Sequence, residues 1–152
     1  MHMDHPCFLK PTVDADWRYA VLGWMKKYLP LIALLACAGC SNACQNTVAS
    51  RALSPDGIHS AILFQRDCGA TTGFSTQISV LGNGGAPSGS GNAYQADDNH
   101  GVAAVGDWQG PWANMRWLGT DRLLIRYATK SRIFAQESEV DGVKIDYQQV
   151  DR

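Results

Sequence analysis

Cys68 stands in the run Arg66-Asp67-Cys68-Gly69-Ala70-Thr71-Thr72-Gly73, between two segments rich in β-forming residues. A cysteine exposed in a glycine-rich turn becomes a nucleophile when a base such as His59 draws its proton. The same residues suit a half-cystine in a tight turn, with Gly69 and Gly73 supplying positive φ. Asp97-Asp98-Asn99-His100 offers four metal-capable side chains in a row. Adjacent residues on a strand point to opposite faces, and calcium loops use alternate positions with a distant bidentate glutamate, so the run reads as a solvated polar turn. His2, His5 and Cys7 lack the paired motifs of structural zinc. Glu137 and Glu139 alternate on one strand face and read as a charged outer surface. Trp108, Trp112 and Trp117, beside Gly110 and Pro111, are residues that stack sugars or anchor partner proteins, and that also build cores. Trp117 is assigned to the core, leaving Trp108 and Trp112 as a possible binding surface. These groups yield no catalytic set and predict no metal and no cofactor.

The context of the cysteines comes from the chain before them. Lys26 and Lys27 follow Met25, Tyr28 to Ala36 is a short apolar run, and Ala38 and Gly39 precede Cys40. A positive segment, an apolar stretch too short to span a bilayer and then small residues have the order of an export signal. The end of this stretch resembles the lipobox of bacterial lipoproteins, which implies cleavage before Cys40 and its acylation. Cys37 stands where that pattern prefers leucine. Cys37 is itself the alternative acceptor, although Leu35 fits the small-residue position before it less well. On this reading residues 1–24 are an upstream extension or follow a misassigned start, 25–39 are the signal peptide, 40–53 are a tether and 54–152 are the folded domain. The lipid would hold the protein to a bacterial membrane, with the domain on the periplasmic or extracellular side. Ser41 after Cys40 resembles outer-membrane sorting in enteric-type bacteria.

The chain beyond the signal, 40–152, is one domain in length and carries a small negative net charge, with no basic patch to hold nucleic acid. It retains Cys44 and Cys68, an even pair that an oxidising compartment joins as a disulfide. With the bridge four residues after Cys40, the leash to the lipid would be at most about 14 Å. Partners are then the membrane, through the N-terminal lipid, and an envelope protein of unspecified kind.

The elements that position these groups read as all-β. Ser54-Pro55-Asp56-Gly57 is a turn, Ile58 to Gln65 and Phe74 to Leu81 form a hairpin, and Gly82 to Asn92 is a flexible surface loop. Weak strands are expected in 93–105, clearer ones at Ala113 to Leu118 and Arg122 to Tyr127. A last hairpin joins Ile133 to Val140 with Val143 to Tyr147 through Asp141-Gly142, a type I′ signal. Alternation of apolar and polar residues predicts a single small antiparallel sheet or a two-layer sandwich. The Arg66–Gln77 run, with Cys40-Ser-Asn-Ala-Cys44 and Ser54-Pro-Asp-Gly57, also resembles a family of small bacterial lipoproteins of unknown function. That resemblance implies export and one domain, and brings no activity.

Overall fold

The computed structural model describes residues 44–152. The expectations for the signal peptide and for acylation at Cys40 or Cys37 lie outside the described residues. The described chain is all-β, with nine strands: β1 Gln45–Leu53, β2 His59–Asp67, β3 Ser75–Gly82, β4 Tyr94–Asp97, β5 Ala113–Trp117, β6 Arg122–Ala128, β7 Arg132–Gln136, β8 Glu139–Val140 and β9 Val143–Val150. They form a five-stranded sheet of order β1-β2-β3-β4-β7 and a four-stranded sheet of order β5-β6-β9-β8. The two sheets share one core. Ala61, Leu63, Ile78, Val80, Tyr94 and Ala96 come from the first, and Leu123, Ile125, Tyr127, Val143 and Ile145 from the second. This is the sandwich that period-2 alternation demands, since each sheet has one apolar face to bury. Tyr94, fully buried, lies with its ring 5.5 Å from that of Tyr127 and 6.2 Å from that of Tyr147.

Four features depart from the sequence expectation. The stretch read as a tether is, from Gln45 to Leu53, a full strand paired with β2 along nearly its whole length. It lies at the sheet edge and is mostly exposed, so it carries little apolar signal; a bulge near Ala49 and the charge of Arg51 blunt the open edge. The second sheet is not purely antiparallel, because β6 and β9 run parallel from Arg122↔Lys144 to Ala128↔Val150. The run 133–140 is not one strand. It leaves the first sheet after Gln136 and enters the second at Glu139, so Glu137 and Glu139 do not share a continuous strand face. The Tyr147 hydroxyl marks this crossing, its one proton shared between the carbonyls of Ala93 at 2.7 Å and Glu137 at 2.9 Å. Asp141 and Gly142 both have positive φ, as the two-residue turn between β8 and β9 requires.

The fourth departure is the glycine-rich segment 82–92. It is latched to the first sheet by side chains. Asn46 Nδ2 donates to the Gly89 carbonyl at 2.8 Å, Arg51 to that of Gly85 at 2.8 Å, and the Gly91 amide donates to Gln77 Oε1 at 2.6 Å. Asn46, Arg51 and Gln77 pair in register with Arg66, Ile62 and Phe64, which lie on the sheet face turned away from the core. Ile62 and Phe64 are nevertheless fully buried on the face to which the segment is latched. Gly91 is held so close that a Cβ would stand 2.8 Å from the carbonyl oxygens of Ile78 and Tyr94.

Candidate functional site

The first sheet carries a polar row at the end where β2 finishes and β3 begins. Asn46, Arg66, Ser75, Asp97 and Arg132 are matched in register across all five strands, one residue from each. Directly opposed residues of antiparallel strands share a face, so the row is continuous. Four of its residues, Arg66, Ser75, Asp97 and Arg132, form the floor of a cleft of about 470 Å³. Cys68, Thr71, Thr72 and Gly73, from the β2–β3 connection, line one side, and Asp98, His100 and Gly101, just past β4, line the other. Phe134 stands at the cleft with 58% of its surface exposed.

The Cys44–Cys68 disulfide fixes the first side, joining the residue before β1 to the residue after β2. The rest of that connection is held locally: Asp67 Oδ1 accepts from the Gly69 amide at 2.9 Å, and the Gly69 carbonyl accepts from the Thr72 amide at 3.1 Å. The opposite side is a left-handed turn, with Asn99, His100 and Gly101 all at positive φ. Two consecutive non-glycine residues in that region are uncommon, and such backbone concentrates at functional positions. Asp97 Oδ1 steadies the turn by accepting from the Asn99 amide at 2.9 Å.

The charges divide across the floor. Arg132 grips Asp97, its Nε donating to Oδ1 at 3.0 Å and its Nη2 to Oδ2, while its guanidinium lies 5.2 Å from the Phe134 ring centroid. His100 Nε2 is 3.4 Å from Arg132 Nη1. Burial opposes ionisation of Asp97, but the Arg132 hydrogen bonds, the Asn99 amide and the charges of Arg132 and His100 prevail and hold its carboxyl below the usual range. Arg66 donates to Asn46 Oδ1 at 2.8 Å and forms no ion pair among the described residues.

The lowered pKa sets the sign of a pH effect. An unfolded aspartate titrates near 3.9, so the stability Asp97 contributes is complete above about pH 5 and is lost as pH falls through its lower folded value. Asp97→Asn is expected to remove that part of the acid limb in thermal melts between about pH 5 and 2. Unchanged acid dependence in the variant would disprove the pairing.

The structure thus brings together two runs that sequence reasoning treated separately, Arg66–Ser75 and Asp97–Gly101, and adds Arg132 and Phe134, which it missed. It separates the residues of the thiol reading. Cys68 is a half-cystine, and His59 opens β2 at the far end of that strand, about 30 Å along the backbone. Among the described residues no three His, Cys, Asp or Glu side chains are grouped so as to hold a metal ion. The tryptophans lie elsewhere. Trp108 Nε1 donates to Thr76 Oγ1 at 2.7 Å, its carbonyl accepts from Gln65 Nε2 at 2.6 Å, and its ring packs over Gly106 and against the core. Trp112 is half-buried under the Arg152 guanidinium, 4.2 Å from its ring centroid. Trp117 packs against the core and donates to the Ala52 carbonyl at 2.9 Å. Compared with known proteins, the chain matches no family model, no curated protein and no solved structure.

Proposed function

We propose that this chain is a lipid-anchored, non-catalytic binding protein of a bacterial cell envelope, attached through Cys40 and offering the cleft above Arg66, Ser75, Asp97 and Arg132 as its ligand site. The observation that carries this reading is the position of the disulfide. Cys68 lines the cleft and is bonded to Cys44, so the site lies at the end of the domain where the N-terminal segment enters. With Cys40 as the anchor, four residues further out, the leash to the lipid would be at most about 14 Å, which supports a cleft held near the membrane surface. The cleft has the size of a small-ligand site, with few convergent charges and an aromatic side. Its one sulfur nucleophile is consumed in a bridge.

The test is a non-reducing peptide map of protein extracted from the membranes of an expressing bacterium. The expected result is an N-terminal peptide that begins at diacylated Cys40 and contains Cys44 linked to Cys68, with Cys40→Ser abolishing acylation. An unmodified Cys40 in a soluble fraction would overturn the anchoring.

A further inference from the structure

The charges lining the cleft form a dipole. On the β2 side stands Arg66, whose guanidinium is oriented by Asn46 and has no carboxylate partner among the described residues. On the β4–β7 side stand Asp97, Asp98 and Arg132. Arg132 is spent on Asp97, with two of its nitrogens on that carboxylate. Asp98 lies near enough to Arg132 to feel its charge, but its own carboxylate has no hydrogen-bond donor among the described side chains. With His100 uncharged, that side therefore carries one net negative charge and faces one positive charge. Only β3, with Ser75, separates the strands that bear them. Two strand spacings put the backbones of the two sides about 10 Å apart, and both side chains line the space between.

We propose that the cleft binds a zwitterion of the phosphoethanolamine type, its phosphate on Arg66 and its primary ammonium on Asp98. The proposal rests on the reading of this cleft as the ligand site. A guanidinium fork matches phosphate oxygens, and unused Arg66 N–H groups remain after the bond to Asn46. A carboxylate selects an ammonium that can donate hydrogen bonds. A quaternary ammonium instead needs an aromatic cage, and here Phe134 is the sole aromatic residue lining the cleft among the described residues and already faces Arg132. The hydroxyls of Thr71, Thr72 and Ser75 suit the ester and glycerol oxygens. The separation of the two charges favours an anion and an ammonium joined by a short spacer over an α-amino acid.

The source of this chemistry is either a lipid headgroup or a soluble phosphodiester. The full chain carrying Cys40→Ser, purified with its disulfide intact, is titrated with glycerophosphoethanolamine and with glycerophosphocholine. The expected result is saturable binding of the first and at least about tenfold weaker binding of the second. Arg66→Gln and Asp98→Asn each weaken the first by about tenfold or more, the loss of a hydrogen bond to a charged group, while both variants remain folded at the titration temperature, as their thermal melts check. Cosedimentation with phosphatidylethanolamine vesicles, reduced in both variants and absent with pure phosphatidylcholine vesicles, assigns the ligand to lipid. Binding of the soluble diester without vesicle binding assigns it to a free zwitterion. No binding of glycerophosphoethanolamine, equal binding of the choline analogue, or indifference to both variants overturns the proposal. Because Cys40→Ser removes acylation from the experiment, failure here leaves the anchoring result standing, and the reverse holds as well.

Discussion

The double variant Cys44→Ala, Cys68→Ala is expected to be less stable than the parent by about 3.5 kcal/mol, on the chain-entropy estimate for half-cystines so spaced. The two residues are 24 apart in sequence, and the bridge closes the loop formed by β1, the Ser54–Gly57 turn and β2. In the native state it sits directly beyond the Gln45↔Asp67 pair, where the hairpin opens at the edge strand of the sheet. For a domain of this size the melting temperature should fall by about 15–25 °C. Parent protein treated with reductant should show the same fall, which separates loss of the bridge from any effect of the alanines. A shift of only a few degrees in both samples would mean that the β1–β2 ladder closes this end unaided.

The second large effect is expected at Trp108. Trp108→Ala should cost about 3 kcal/mol in chemical denaturation, at the lower end for a large aromatic because the ring is only half-buried. The loss has two parts. The ring fills the space over Gly106, where even a Cβ would approach its atoms to 2.5 Å, so removing it leaves a cavity at the edge of the core. Its Nε1–H also satisfies Thr76 Oγ1, a fully buried oxygen that itself donates to the Pro111 carbonyl at 2.6 Å. Trp108→Phe retains most of the packing and should lose only about 1 kcal/mol. If both variants melted like the parent, Trp108 would be a surface residue available to a partner, contrary to the geometry.

The elements legible in the sequence are those whose signal is local. Asp141-Gly142 specifies its turn, Leu123, Ile125 and Tyr127 alternate toward the core, and the even cysteine pair forms its bridge. What escaped depends on partners far along the chain. β1 is written in polar and small residues because an edge strand buries little, so its identity lies in pairing with β2 and not in its own pattern. Alternation along β6 and β9 fixes which residues face inward and is the same for parallel and antiparallel neighbours. The glycine-rich 82–92 segment has only Ala86 and Pro87 as apolar residues and nothing in its own pattern to announce that it is latched to the first sheet; the latch is made by Asn46, Arg51 and Gln77, which belong to strands. The cleft was hidden for the same reason. Asp97 and Arg132 are separated by 35 positions and meet only because β7 joins β4 at the sheet edge.

The bridge beside β1 also has a mechanical consequence. An edge strand drawn away from its neighbour at one end normally unzips, breaking its hydrogen bonds one pair at a time. Here a pull applied to the chain ahead of Cys44 passes through the sulfurs to Cys68, and so into β2, before the Gln45↔Asp67 pair is loaded. β2 is flanked by β1 and β3 and contributes Ala61 and Leu63 to the core, so the force reaches the interior of the sandwich instead of its weakest margin. A domain held by its N-terminus at a moving surface would transmit drag without surrendering its first strand.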